Sequence, residues 1–282
     1  MRAGQATAPI GAAAARPNAI GLSAAAALKL ELDTYPKPGL VSHVDDGAHA
    51  DMDAAMLSRS ADTLAPFFAE LAAAGAAGAP MARLQAIGID AERAMFAATG
   101  GINTHRGAIF GMGLLAAASG FRDSYGAPGT LGDIVAHRWG PAIRKMAPLV
   151  GSHGRLAAQA YGVGGARAEA AAGFPTVHEI ALPALDAGGQ LASGDDHAAR
   201  VHACMALISQ VGDTNLFHRG GAEGARFARD SAVGFIANGG VGQPDWPAQA
   251  ARIHTDFVAR NLSPGGCADL LAMALFVRSV GR

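Results

Sequence analysis

The sequence predicts an all-α fold: a single compact multi-helix domain of about a dozen helices. Three observations lead there. Alanine dominates the apolar half of the 282 residues, while aromatic residues make up only 6%, and alanine favours helix where aromatic and β-branched residues favour strand. Apolar positions recur at three- and four-residue spacing through most of the chain. No segment shows sustained alternation, and no hairpin dipeptide sits between apolar runs.

The elements follow in order. Residues 1–17 are rich in Ala, Gly and Pro and lack a compact apolar stretch, so they read as a flexible N-terminal tail and not as a signal peptide. A single all-helical domain is then expected over 18–282. A first helix is predicted over 19–33, with Leu22, Ala26, Ala27 and Leu30 on its inner face. A second covers 52–74 behind an Asp51 cap. A third covers 81–98, after a Gly/Ala/Pro break, and a fourth 104–119. The segment 131–146 holds Pro141, which predicts a kink or a break. Shorter helices are expected over 153–161, 166–172 and 177–187. The Gly-rich stretch 188–195 reads as an exposed loop. Helices over 196–211, 221–237, 246–261 and 265–280 complete the series, the last with Ser263 as N-cap and Pro264 in its first turn.

Composition excludes several function classes. The formal net charge is −1 and no basic stripe exists, which argues against nucleic acid as a partner. No run of about 18 strongly apolar residues is present, so no membrane span is expected. Cys204 and Cys267 form neither a disulfide framework nor a zinc spacing, and fit a reducing, cytoplasmic compartment. There is no G-x-G-x-x-G after a strand, no Walker A sequence and no G-x-S-x-G elbow.

The chemistry is concentrated in six polar, Gly-rich blocks at helix ends: 34–42, 45–51, 99–107, 164–169, 212–221 and 263–269. Arg106, Arg167 and Arg219 each lie in or just before the first turn of a predicted helix. A cation there is disfavoured by about 0.3–1 kcal/mol. Three such placements point to an anion shared by helix N-termini and arginines, with glycines admitting a phosphate to the backbone. Local surface ion pairs are the alternative. Lys37 is held between two prolines and suits a phosphate, or is a solvated loop lysine. The doubled glycines Gly220–Gly221 and Gly265–Gly266 hint at close ligand approach.

Asp45, Asp51, Glu169, Asp213 and Asp269 all fall in these blocks. A few carboxylates plus phosphate oxygens suit Mg²⁺, although Asp51 and Asp213 also suit helix capping. His43, Asp45 and His49 invite a zinc reading, which Gly47 and the absence of H-E-x-x-H weaken. His137, His178 and His254 read as surface histidines. Both cysteines read as structural.

In order along the chain, T-Y-P-K-P-G-L-V-S, D-x-G-A-H-x-D-M, G-x-N-T-H-[KR]-G-A-I-F, G-G-A-R-x-E-A, D-T-N-x-x-x-R-G-G and S-P-G-G-[CS]-A-D-L-L-A resemble the triphosphoribosyl-dephospho-CoA synthase family over roughly residues 20–280. The resemblance implies an all-helical enzyme that needs Mg²⁺ or Mn²⁺. It would join ATP and 3′-dephospho-CoA to give 2′-(5″-triphosphoribosyl)-3′-dephospho-CoA and adenine. That product is the prosthetic-group precursor for an acyl carrier protein. Chain length favours the malonate decarboxylase branch over the citrate lyase branch.

On this reading Asp45, Asp51, Glu169 and Asp213 are the acid–base candidates, and Asp45, Asp51, Asp213 and Asp269 the metal candidates. Lys37, Arg106, Arg167 and Arg219 would hold phosphates. Asn103, His105 and Asn215 would position ribose or adenine. Gly220, Gly221, Ser263, Gly265 and Gly266 would let the substrate approach. Two alternatives stay open: a metal-dependent nucleotide or ribosyl hydrolase, and a non-catalytic helical module that binds nucleotide or CoA. Ala/Gly-rich packing permits a homodimer.

Overall fold

The chain breaks into helices where its glycines, prolines and short polar residues fall. The computed structural model describes residues 10–146 and 165–281, with side chains from residue 16 onward. Within them lie twelve α-helices and no strand. They are α1 (Ile10–Leu32), α2 (Ala54–Ala76), α3 (Met81–Ala98), α4 (Arg106–Tyr125), α5 (Leu131–Arg138), α6 (Gly140–Lys145), α7 (Ala166–Ala171), α8 (Leu182–Leu191), α9 (Asp196–Gln210), α10 (Thr214–Ala237), α11 (Trp246–Ala259) and α12 (Gly265–Val280). A π-helix, Thr176–Ala181, leads into α8, and a 3₁₀ turn, Gly240–Gly242, follows α10.

Three helices form the centre. α4 is buried at Ala108, Ile109 and throughout 111–120; α9 is buried throughout 201–208, and α12 throughout 270–277. A helix apolar on all sides needs neighbours on all sides. α4 receives α1, α2, α3, α5 and α12, and α12 also packs on α1 and α9. Small residues set the spacing. A Cβ on Gly75 would run into the carbonyl of Ala117, and one on Gly120 into that of Ala72, so α2 and α4 touch backbone to backbone.

Helices α3 and α12 match the predicted ranges, and α5 and α6 part at Trp139 beside Pro141. Other expectations need correction. α1 buries Ile20, Ala24, Leu28 and Leu32 and, as expected, Ala27, while Leu22, Ala26 and Leu30 are exposed; the helix is apolar on both sides, so periodicity alone does not pick the inner face. It also begins at Ile10 and runs through Pro17; the rest of the expected tail, 1–9, lies outside the described residues, as does the helix expected over 153–161. Asp53, not Asp51, caps α2, its Oδ1 accepting from Met56 N at 2.7 Å. Helix α8 continues to Leu191 because Gly188 lets it press on Ala199 and His202 of α9. α10 starts at Thr214, capped by Asp213, and breaks at Gly221 (φ 60°, ψ −161°). α12 follows Pro264 with no side-chain cap, so Ser263 is free for another role.

Candidate active site

Residues of α1, α3, α4, α7, α10 and α12, with Leu57 and Leu71 of α2 and the loop before it, enclose a cavity of about 1050 Å³. The N-termini of α4, α7, α10 and α12 face it, and so do Arg106, Arg167 and Arg219. The positive ends of the long helices therefore add to guanidinium charge on one concave surface, with Asp213 and Asp269 taking some of their first-turn N–H groups. The volume lies at the upper end of the roughly 300–1,000 Å³ usual for ligand pockets.

Asp213 ties two of these ends together. As N-cap of α10 its Oδ1 accepts from Asn215 N at 2.8 Å, while Oδ2 accepts from Cys267 N in the first turn of α12 at 2.9 Å. Gly266 makes room, since a Cβ there would lie 3.0 Å from Asp213 Oδ2; Gly265 does the same for the Asn215 amide at 3.0 Å. The double glycine thus admits side chains of α10 as well as opening the cavity wall. Burial pushes the Asp213 carboxyl above its ordinary range, against the pull of the Cys267 and Asn215 N–H groups.

Asp269 stands on the same wall, opposite the first turn of α4. A Cβ on Gly107 would overlap its carboxylate. Burial, then the charges of Glu31 and Asp213, push Asp269 well above the usual carboxylate range, and the Ala108 N–H acts the other way. Glu169 on α7 accepts from Thr176 N at 2.8 Å, at the start of the π-helix, and burial raises its proton affinity too.

At the N-terminus of α4, Asn103 Oδ1 accepts from Arg106 N at 3.2 Å, and Arg106 Nε reaches Glu92 Oε2 at 3.1 Å. His105 is buried; its Nδ1 meets Ser60 Oγ at 2.8 Å, and Ser60 meets Thr104 Oγ1 at 2.8 Å. Burial, then the charge of Lys37, lowers the imidazole to about 4. At neutral pH His105 is uncharged and able to offer or accept one hydrogen bond at Nε2.

Arg219 braces the loop before α2. Its Nη1 donates to Ala48 O at 2.8 Å and Asn261 Oδ1 at 2.9 Å, and its Nη2 donates to His49 Nδ1 at 3.1 Å. That bond assigns the proton of neutral His49 to Nε2, which donates to Ser263 Oγ at 2.8 Å. Burial, then Arg219, lowers the His49 pKa. Asp51 sits 3.4 Å from His49 Nδ1, half-exposed at the cavity edge.

The structure therefore brings Asp51, Asn103, His105, Arg106, Arg167, Glu169, Asp213, Asn215, Arg219, Ser263, Gly265, Gly266 and Asp269 to one cavity. Four predicted site residues do not line it. Asp45 accepts from Gly47 N at 2.9 Å and faces His254 Nε2 at 3.0 Å, closing a turn. Lys37 is buried behind the wall. Gly220 exists for packing, since a Cβ would press on Leu262, and Gly221 for the break in α10. His254, expected on the surface, is buried and bonded to Lys37 O at 2.7 Å. The four predicted metal aspartates do not form one ligand set: among the described residues no three or more His, Cys, Asp or Glu side chains converge to hold an ion. Burial pushes Cys204 to about 12 and Cys267 well above its ordinary value, so neither is a nucleophile.

Glu31, His49 and Thr104 line the cavity and were absent from the predicted site. One signal for Glu31 was present: a carboxylate in the last turn of a helix opposes the macrodipole, so it needs a local cation or a task. In the sequence His49 reads only as a weak zinc candidate.

The profile of the ATP:dephospho-CoA triphosphoribosyl transferase family matches residues 17–282. The chain belongs to that family. Similar curated proteins cover nearly all of it. A probable 2-(5″-triphosphoribosyl)-3′-dephosphocoenzyme-A synthase of Acinetobacter calcoaceticus is 36% identical over 266 residues, 93% of this chain and 90% of the relative. The synthase of that name from Pectobacterium atrosepticum is 40% identical over 88% of this chain and 84% of the relative. A probable one from Azotobacter vinelandii is 37% identical over 90% and 88%. No solved structure matches. The transferase family thus includes an enzyme whose ordered polar blocks, scattered over the chain, meet around one cavity. No described helix is long and apolar enough to cross a membrane.

Proposed function

We propose that this transferase moves the triphosphoribosyl group of ATP onto the 2′-hydroxyl of 3′-dephospho-CoA and releases adenine. The observation that carries the reading is the convergence of helix N-termini, Arg106, Arg167 and buried carboxylates on one cavity in a member of this family. The triphosphate is a handle that remains intact. The bond that breaks joins ribose C1′ to adenine, through a transition state with oxocarbenium character like that of glycoside hydrolysis.

The chain's own groups divide the work. Arg106 and Arg167, with the first turn of α4, bind the triphosphate. Arg219 holds the floor through Ala48, Asn261 and His49. Neutral His105 and Asn215 orient sugar and base. Glu169, whose raised proton affinity and anchored Oε1 suit a general base, accepts the proton of the attacking hydroxyl. Orienting two large substrates in one enclosure supplies much of the remaining acceleration. Asp51 and Asp269 are the predicted ligands that line the cavity without both oxygens committed to backbone N–H groups. Such a donor set suits Mg²⁺, which takes one or two carboxylates and completes its shell with phosphate oxygens and water. When bound, the ion would neutralise triphosphate charge.

The reading extends to the acyl carrier subunit of malonate decarboxylase as final acceptor, a cytoplasmic location, which two buried free thiols support, and assembly as a homodimer. The test is free adenine formed from ATP and Mg²⁺, with and without dephospho-CoA, with the mass of the nucleotide product. Acceptor-dependent adenine and a triphosphoribosyl adduct are expected. Adenine formed without acceptor would make this a hydrolase, and saturable nucleotide binding without adenine would make it a binding module. Loading of the product onto a malonate decarboxylase or a citrate lyase carrier subunit decides between the two pathways.

A further inference from the structure

One carboxylate that lines the cavity is paired with a buried ammonium. Glu31, in the last turn of α1, lines the wall, and its Oε1 accepts from Lys37 Nζ at 2.5 Å. Lys37 Nζ also donates to the Glu31 carbonyl at 2.6 Å, so ammonium, side chain and helix end form one closed unit. Lys37 is 1% exposed and touches the cavity only through its partner. Glu31 Oε2 has no protein hydrogen bond among the described residues.

Its neighbours are otherwise engaged. Asp213 has both oxygens on backbone N–H groups. Asp269 lies against the first turn of α4, and burial, then the charge of Glu31, raises its affinity for a proton. A cavity-lining carboxylate with a buried ammonium on one oxygen and no protein partner on the other is held in place and suited to face positive charge. Burying an ion pair carries a desolvation cost that apolar residues of the same size would avoid, so its presence beside a cavity calls for a task.

We propose that Glu31 is a catalytic residue, the carboxylate that stabilises the positive charge developing at ribose C1′, and that Lys37 is its positioning residue. The inference rests on the transferase reading above. In the step, the C1′–nitrogen bond breaks and its electron pair leaves with adenine. A lone pair of the acceptor's 2′-oxygen forms the new C1′–oxygen bond. The hydroxyl proton passes to the general base and balances the proton that adenine takes up. Glu31 forms no bond; Oε2 faces C1′ while charge is greatest, an interaction stronger in the transition state than in the bound substrates. Two acidic groups, Glu31 and Glu169, thus take different roles because their surroundings differ.

The test compares native enzyme with Glu31→Gln, Glu31→Asp and the charge-balanced pair Glu31→Gln/Lys37→Met, measuring adenine release and, separately, ATP affinity by equilibrium binding. Glu31→Gln alone leaves a buried ammonium unpaired and is open to misfolding; the double variant removes that cost. The expected result is a folded double variant whose kcat falls about 100-fold or more, with ATP affinity within about twofold of native. Glu31→Asp should lie between. A folded double variant with kcat within about threefold of native overturns the proposal. So does a loss confined to KM, or one restored by raising Mg²⁺, which would make Glu31 a binding group or a metal ligand. Native enzyme serves as the control: if it releases no adenine, the transferase reading fails and takes this inference with it, whereas native release with undiminished variants removes this inference alone.

Discussion

His105 makes the fold sensitive to acid. Its imidazole is held at about 4 against an ordinary 6.5. Above pH 6.5 it is neutral folded and unfolded, and contributes no pH dependence. Between 6.5 and about 4 the unfolded chain takes up a proton that the folded chain refuses, so stability falls as pH falls, by up to about 1.4 kcal/mol per unit and about 3 kcal/mol in all. Asp213, Asp269 and Glu169 act in the opposite sense. Their folded pKa values are raised, so acidification relieves the cost of their buried charge. Subtracting the stability of His105→Gln from that of the native chain isolates the histidine. The difference should shrink steadily from pH 6.5 to 4.5 in urea unfolding, and a flat difference would rule the burial argument out. At this scale, residue type was legible and environment was not. Arg106 and Asp213 announce a polar site by type, but Lys37 reads the same whether solvated or buried against Glu31.

Helix ends carry the site, and their glycines have separate jobs. Gly107 lies in the first turn of α4, where alanine would normally stabilise a helix by about 0.5–1 kcal/mol. Here the added Cβ meets the Asp269 carboxylate. Gly107→Ala should therefore lose about 1–3 kcal/mol and most transferase activity. A variant more stable than native in urea unfolding would show that Asp269 swings away at little cost. Element boundaries were legible where the signal is local. The breaks at Trp139 and Gly221 come from residues that alter their own backbone, although the start of α10 at Thr214 was missed because Asp213 caps seven residues before the Gly pair breaks the helix. The buried face of α1 was not legible: alanines lie all round it, and only contact with α2, α4 and α12 turns Leu22 outward.

The whole molecule is an enclosure made from distant parts of the chain. Its walls come from α1, α3, α4, α7, α10 and α12, so nucleotide bound inside bridges elements that unfolding would separate. ATP at 100 times its Kd should add about 2.7 kcal/mol to folding stability, seen as a thermal midpoint that climbs with ATP concentration. A midpoint independent of ATP would show that the folded chain does not bind the nucleotide in preference to the unfolded one.

Helix class, the breaks between most helices, and the ordered blocks that mark the family follow from the amino-acid sequence by itself. Propensity, capping and turn formation act over a few residues, and a linear reading captures them. Tertiary structure alone decided which polar groups face the cavity. His49 meets Ser263 across 214 positions, Asp213 reaches Cys267 across 54, and Lys37 turns away from the cavity to hold Glu31. Each of those outcomes depends on where a packed helix delivers its end, and packing among nearly uniform alanine surfaces is set by the sum of all contacts and not by any local pattern.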